Sequence, residues 1–368
     1  MAEAGGHTNR DRHAWETPGT YRVSDGVHRI PLPLPGDALR SVNVYAIEHD
    51  EGIVLIDAGQ HLIEARSALE KALSSLGFEF GDISAIYVTH IHRDHYTQAV
   101  ALRREFNIPI SIGVGEEGSF RAISEAASSS GSRNADLLIE AGAAELAKAL
   151  ARLTSAEASD VGIFERPNAW LIEDEGLSLS GRELRVLTTP GHTQGHVVFV
   201  DFAHQLLFSG DHVLPHITPS IAFEPVRSPL PLNDFIHSLA KVRGLPDLQL
   251  LPAHGPIQAS THARIDELLI HHETRLDRSM EHLVDGPKTA WEVANRLRWT
   301  RRERQLSELD LLNQFLATME TKFHLDLLVH RHLATTESSD GVLAYKAMGA
   351  STNATDSRDR NVARDVVN

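Results

Sequence analysis

A chain of 368 residues is long enough to bury a sizeable core without covalent staples, and it contains no cysteine. That excludes a disulfide scaffold, thiolate-ligated zinc, iron–sulfur clusters, c-type haem attachment and a thiol nucleophile. The formal charge of −15 disfavours a surface built mainly for nucleic acid or anionic membrane, and the 22 histidines leave imidazole and carboxylate as ligands for any metal.

Residues 1–20 are polar, carry no apolar leader segment and are expected to form a disordered tail; no run approaches 18 apolar residues, so a cytoplasmic protein with no membrane partner is expected. From 21 to 257 short β-rich runs alternate with helical stretches. The predicted strands are Val42–Ile47, Ile53–Ile56, Ile83–Val88, Ile108–Ile112, Leu184–Thr188, Val197–Val200, Gln205–Phe208 and Leu248–Leu251, and a helix is expected over Thr97–Phe106. This alternation predicts an α/β layered domain. Residues 115–165 interrupt it with an Ala/Ser/Glu-rich helical insertion, containing a helix over Asp136–Leu153 and a flexible turn at Ser128–Asn134; the readings are a lid, a homodimer contact or surface decoration.

After Pro256 the strands stop. His262–Leu283 reads as a helix, and Thr289-Ala290-Trp291-Glu292 as a capping box opening a short helix to Leu297. A long amphipathic helix carries Leu309, Leu312, Leu316, Met319 and Phe323, and Leu333–Ala347 reads as a hairpin around Asp340-Gly341. Residues 258–348 therefore have winged-helix order, with a helical bundle packing on the first domain as the favoured reading of its role over DNA binding, and 349–368 read as a second polar tail.

The chemistry concentrates at strand ends. Thr89-His90-Ile91-His92-Arg93-Asp94-His95 follows the run Ile83–Val88. Side chains two apart on an extended segment face the same way, so His90 and His92 can present their rings to one ion, with Asp94 and His95 at the turn facing a second. Thr189-Pro190-Gly191-His192-Thr193-Gln194-Gly195-His196, Ser209-Gly210-Asp211-His212 and Pro252-Ala253-His254-Gly255-Pro256 each place a metal-ligand residue after another apolar run, beside Gly or Pro.

With these motifs, and Asp57 in Leu55-Ile56-Asp57-Ala58-Gly59, the stretch from Val42 to Pro256 resembles the metallo-β-lactamase-fold hydrolase superfamily. The resemblance implies a four-layer αββα sandwich with a two-metal site at one edge. It implies that His90, His92 and His192 bind one ion, Asp94, His95 and His254 another, and that Asp211 bridges both. Zinc suits these ligands first, with iron or manganese as alternatives. Asp57 and His196 are expected to support the ligands through hydrogen bonds. His-Ile-His-Arg-Asp-His, Gly-Asp-His-Val-Leu-Pro-His-Ile-Thr-Pro-Ser and the helical C-terminal extension look like the glyoxalase II-like branch that includes β-lactamase-like protein 2, a single-strand RNA endonuclease with a winged-helix-like cap. Family members usually read Asp-His-x-Gly-Gly, where this chain has Asp94-His95-Tyr96-Thr97-Gln98; the loss of glycine is expected to narrow the pocket floor.

Two such ions would give a bridging hydroxide nucleophile at neutral pH, with Asp94 as the catalytic carboxylate that orients it or shuttles its proton. Arg93, Tyr96 and His216 are the candidate substrate contacts, with a satisfied structural tyrosine as the favoured reading of Tyr96. The leading expectation is hydrolysis of a small ester, thioester or lactone. A single-stranded RNA endonuclease is the alternative, resting on the basic run Arg296, Arg298, Arg301, Arg302 and Arg304. A non-catalytic metal-binding regulator is the reading from another class.

Overall fold

The computed structural model describes residues 11–126, 133–154 and 163–348. The chain runs β1 (Tyr21–Ser24), β2 (Val27–Pro33), β3 (Ser41–His49), β4 (Gly52–Ile56), α1 (Ile63–Leu76), β5 (Ile83–Val88), α2 (Arg93–Phe106), β6 (Ile110–Gly113), α3 (Glu117–Ala126), α4 (Arg133–Glu140) and α5 (Ala144–Thr154). It continues through β7 (Ala169–Leu171), β8 (Gly176–Leu179), β9 (Arg182–Thr188), β10 (Val197–Asp201), β11 (Leu206–Gly210), α6 (Pro231–Arg243), β12 (Gln249–Pro252) and α7 (Thr261–Glu281). The last elements are β13 (Lys288–Thr289), α8 (Ala290–Arg296), α9 (Leu311–His330), β14 (Ala334–Ser339) and β15 (Val342–Ala347). No helix among the described residues is long and apolar enough to cross a membrane.

Two compact units emerge: Met1–Arg121, Gly162–Pro219 and Leu245–Arg264 form one, and Ala122–Val161, Ser220–Gly244 and Ile265–Asn368 the other. Of the insertion read at 115–165, the described residues 122–126 and 133–154 are thus grouped with the C-terminal helices and hairpin.

The first unit is an α/β sandwich of two sheets. Strands β1 to β7 form one sheet in chain order, antiparallel up to β4 and parallel from β4 to β7. The second sheet has the order β12-β11-β10-β9-β8, with β11 and β12 parallel. Strand β3 is buried along seven consecutive positions, with Val42, Val44, Tyr45, Ala46 and Ile47 among them, as in a strand covered on both faces. Val27, Tyr45, Ile47, Val54 and Ile56 from the first sheet share one core with Leu184, Val186, Val197, Phe199, Phe208 and Leu251 from the second. Helix α1 packs on β2, and α2 packs on β5 and β6.

The residues expected in the N-terminal tail are structured from 11 onward. Asp11–Glu16 forms a 3-10 turn, Arg29 donates to the Trp15 carbonyl at 2.7 Å, and Thr20 Oγ1 donates to the Ala72 carbonyl at 3.2 Å. Residues 1–10, the tail 349–368 and the turn at Ser128–Asn134, up to residue 132, lie outside the described residues.

In the second unit, the helix expected over Asp136–Leu153 is instead two, α4 and α5. The break falls at Gly142, whose φ is 82° and where a Cβ would lie 2.8 Å from Thr289 Oγ1. Both the left-handed backbone and the close approach require glycine. The Trp291 N–H donates to the Ala141 carbonyl beside it at 2.9 Å. The capping box forms as expected: Glu292 N–H donates to Thr289 Oγ1 at 3.1 Å, and Thr289 N–H to Glu292 Oε2 at 2.8 Å. Helices α4 and α5 pack on α9, and β13 joins the β14–β15 hairpin in a three-stranded sheet of order β13-β15-β14. Between α7 and α9, His324 Nδ1–H donates to the Glu320 carbonyl at 2.7 Å, so its Nε2 accepts from His272 Nδ1–H at 3.2 Å. Burial lowers both imidazoles, His324 to about 4, and keeps them neutral.

Candidate metal centre

The C-terminal ends of β4, β5, β9, β11 and β12 meet at one edge of the sandwich and carry Asp57, His90 to His95, His192, Asp211 and His254. Hydrogen bonds join the two sheets there: Val197 N–H donates to the Thr89 carbonyl at 2.8 Å, and Asn43 N–H to the Ala253 carbonyl at 2.7 Å. Helix α2 starts at Arg93, earlier than the expected Thr97, so Asp94 and His95 occupy its first turn, where the helix dipole favours the carboxylate.

The seven residues singled out as ligands stand in two groups. In the first, His90 Nε2 and His92 Nδ1 are 2.9 Å apart, His92 Nδ1 and His192 Nε2 3.0 Å, and His90 Nε2 and His192 Nε2 3.2 Å. The three rings are inclined at 79–84° to one another, so their nitrogens converge on a point instead of pairing off. Asp211 Oδ2 lies 3.5 Å from His192 Nε2. Tetrahedral zinc with bonds of about 2.0–2.1 Å to nitrogen needs donors roughly 3.3 Å apart, close to these spacings.

In the second group Asp94 Oδ2 is 3.2 Å from His254 Nε2 and 3.5 Å from His95 Nε2. The other oxygen of Asp211, Oδ1, is 3.4 Å from His254 Nε2 and 3.7 Å from His95 Nε2. His95 Nε2, His254 Nε2 and Asp211 Oδ1 are all buried without a hydrogen-bond partner. Three such atoms facing one another are costly unless a cation satisfies them, so the donor set fits a divalent ion.

Electrostatics agree. Burial alone would lower the His95 pKa, but Asp94, Asp57 and Asp211 outweigh it and raise it to about 10. His254 is raised against burial by Asp211 and Asp94. Burial would raise the Asp94 carboxyl, yet His95 and His254 hold it well below the usual carboxylate range. His90, by contrast, is pushed well below its ordinary value by burial and the neighbouring imidazoles, which leaves it a neutral donor. The pocket demands positive charge on its carboxylate side and offers the neutral His90 nitrogen on the other.

The ligands are held from behind. His95 Nδ1–H donates to Asp57 Oδ2 at 2.8 Å and His254 Nδ1–H to the Ser41 carbonyl at 2.7 Å, so both Nε2 atoms point inward. Asp57 also accepts from Thr89 N–H at 2.8 Å. His196 Nε2 accepts from Asp211 N–H at 3.1 Å, and its Nδ1–H donates to Thr189 Oγ1 at 2.8 Å. Gly210 makes that approach feasible: its φ is 50°, and a Cβ there would stand 2.7 Å from His196 Nε2.

Of the three candidate substrate contacts, Arg93 is exposed at the start of α2. His216 is exposed on the loop after Asp211, which Arg264 anchors through the Leu214 and Ile217 carbonyls. Tyr96 requires a correction. It is 0% exposed, packs edge-on against Phe120, and donates its hydroxyl to the Glu165 carbonyl at 2.5 Å. On a helix each residue turns about 100° from the last, so the neighbour of an inward ligand faces elsewhere.

Asn43 has a role the sequence reading missed. Fully buried in β3, it donates its amide to the Pro252 and Gly255 carbonyls, both at 2.9 Å, and accepts from Arg29 Nη1 at 2.9 Å. Tyr45 Oη donates to the same Pro252 carbonyl at 2.8 Å. Together they fasten the loop that carries His254. An asparagine inside an apolar strand run was the available signal.

Residues 37–254 match the Metallo-beta-lactamase superfamily. The chain is 28% identical over 330 residues to the "Probable metallo-hydrolase YqjP" of Bacillus subtilis (strain 168), covering 87% of this chain and 97% of that protein. It is 26% identical over 258 residues to the "Beta-lactamase-like protein 2 homolog" of Caenorhabditis elegans, with 69% and 70% covered. A solved metallo-beta-lactamase family protein from Thermus thermophilus superposes with a TM-score of 0.72 at 27% identity, covering 88% of this chain and 99% of that one.

Proposed function

The chain belongs to the metallo-beta-lactamase superfamily and is a hydrolase of it, and from that premise we propose that it uses two divalent ions to cleave a small ester, thioester or lactone, in the manner of the glyoxalase II-like branch. The observation that carries this reading is Asp211, which turns Oδ2 to the His90–His92–His192 group and Oδ1 to the Asp94–His95–His254 group. When bound, the ions would supply Lewis-acid polarisation of the scissile carbonyl and activation of water near neutral pH.

The protein's own contribution is placement. Asp57, Ser41 and His196 fix the ligand orientations, and Asp94, kept ionised by His95 and His254, accepts a hydrogen bond from the attacking water and so orients it. Neither a serine nor a cysteine nucleophile is required. The test is elemental analysis of purified protein followed by turnover of thioesters, lactones, a β-lactam and single-stranded RNA, with and without chelator. Two equivalents of metal and chelator-sensitive ester, thioester or lactone hydrolysis are expected; full activity after metal removal overturns the reading.

One observation favours the RNA endonuclease as a second reading. Arg296, Arg298, Arg301, Arg302 and Arg304 are all exposed around the segment between α8 and α9, within the winged-helix-like order of the second unit. RNA binding that falls steeply with salt would support it, and its absence at low salt would remove it.

A further inference from the structure

Glu116 is fully buried behind the first ligand group and belongs to none of the motifs. Its Oε1 accepts from Thr193 Oγ1–H at 2.5 Å and from the Ile91 N–H at 3.3 Å. Ile91 stands between His90 and His92, and Thr193 directly follows His192. A single carboxylate oxygen therefore grips both loops that supply the three imidazoles of the first group.

The loop that carries Glu116 has no slack. A Cβ on Gly195 would sit 2.1 Å from the Glu116 nitrogen, one on Gly115 2.5 Å from the Gln194 carbonyl oxygen, and one on Gly113 2.0 Å from the Gly195 carbonyl oxygen. The backbones of the β6–α3 turn and the His192 loop thus touch at three places, and Glu116 cannot shift without moving His192. Imidazole donors 2.9–3.2 Å apart tolerate little such movement, because a displacement of half an ångström spoils a coordination sphere.

We propose that Glu116 is a positioning residue whose side chain sets the spacing between the His90–His92 loop and the His192 loop, and thereby the affinity and geometry of the metal ion at that group. This rests on the two-ion reading above, but its readout is metal binding, so the two can fail separately. Glu116 does not touch substrate. Its action passes through Ile91 and Thr193.

The experiment compares wild type, Glu116→Gln and Glu116→Ala by titrating zinc against a competing chelator, and by the visible absorption of the cobalt-substituted proteins. Glutamine keeps a carbonyl oxygen able to accept both hydrogen bonds; alanine keeps neither. The expected result is one equivalent bound about 10–100-fold more weakly in Glu116→Ala with an altered cobalt spectrum, and restoration to within about threefold by Glu116→Gln. Thr193→Val, which removes one donor at nearly constant shape, is expected to weaken the same equivalent severalfold and keeps the test decisive should Glu116→Ala not fold. Wild-type affinity and spectrum in either Glu116→Ala or Thr193→Val overturn the proposal, as does a Glu116→Gln as impaired as the alanine variant. Wild-type protein that binds no second equivalent overturns the two-ion reading instead.

Discussion

Asp57 accepts the Nδ1–H of His95 at 2.8 Å from a backbone held in the left-handed region, at φ 62°. Asparagine tolerates that conformation, so Asp57→Asn leaves the turn intact. The amide must then point its NH2 at either the His95 Nδ1–H or the Thr89 N–H, both donors, and one hydrogen bond is lost. The expected outcome is roughly 10–100-fold weaker metal binding at the Asp94–His95–His254 group with circular dichroism unchanged. Competition titration with a chelator measures it, and unaltered affinity would show that His95 needs no orienting partner.

His92→Ala removes one of three converging imidazoles. Metal content should fall towards one equivalent and turnover by about 100-fold or more, since the remaining nitrogens no longer complete a tetrahedron. Atomic emission and steady-state kinetics on the same preparation check both. Retained activity at reduced metal content would confine catalysis to the other group.

Asn43→Ala strips the Gly255 carbonyl of its side-chain donor, leaves the Pro252 carbonyl only the Tyr45 hydroxyl and leaves Arg29 only the Trp15 carbonyl, in buried surroundings. A loss of about 2–4 kcal/mol in denaturant unfolding is expected, with weakened metal binding through His254. A stability change below about 0.5 kcal/mol would mean that Tyr45 and the backbone bond from Asn43 N–H to the Ala253 carbonyl hold the loop without the Asn43 side chain.

Tyr96→Phe should leave kcat/KM unchanged for every substrate found while costing about 1–2 kcal/mol of stability, because only the hydrogen bond to the Glu165 carbonyl is lost. A fall in kcat alone would return Tyr96 to the reaction.

The His272–His324 pair predicts an acid limb. Unfolded histidine takes up a proton near pH 6.5, whereas the buried pair stays neutral, His324 down to about 4, even though His271, Arg275 and Glu320 lie alongside. Between these values the unfolded chain binds more protons, so stability falls as pH drops from about 6.5 towards 4. In His272→Phe/His324→Leu the melting temperature should fall less over that range than in wild type. Identical pH profiles would show that the pair is accessible to protons when folded.

The legible part of this protein is what depends on local order. His90, His92, His192, Asp211 and His254 were readable because each follows an apolar run at a strand end, and Thr289 and Glu292 because a capping box spans four residues. What escaped depends on partners far away in sequence. Ser41 acts through a backbone carbonyl on a histidine 213 residues distant, so its side chain gives no hint. The break between α4 and α5 is imposed at Gly142 by Thr289, while the Ala-rich pattern alone reads as continuous helix. Tyr96 takes the structural one of its two readings, because adjacency to His95 in sequence is not adjacency around a helix.

The chain passes between its two units five times, near residues 121, 161, 219, 244 and 264, and the ligands extend from His90 to His254. On the ribosome, neither ligand group can close early. His192 and Asp211 complete the first, but the second waits for β12 and the loop after it, which must still be drawn against Asn43. At about 5–20 residues per second, the nascent chain holds His90, His92, Asp94 and His95 without their partners for several seconds. Early metal capture by that stretch would be nonproductive, and protein synthesised under metal limitation should take up any metal after release.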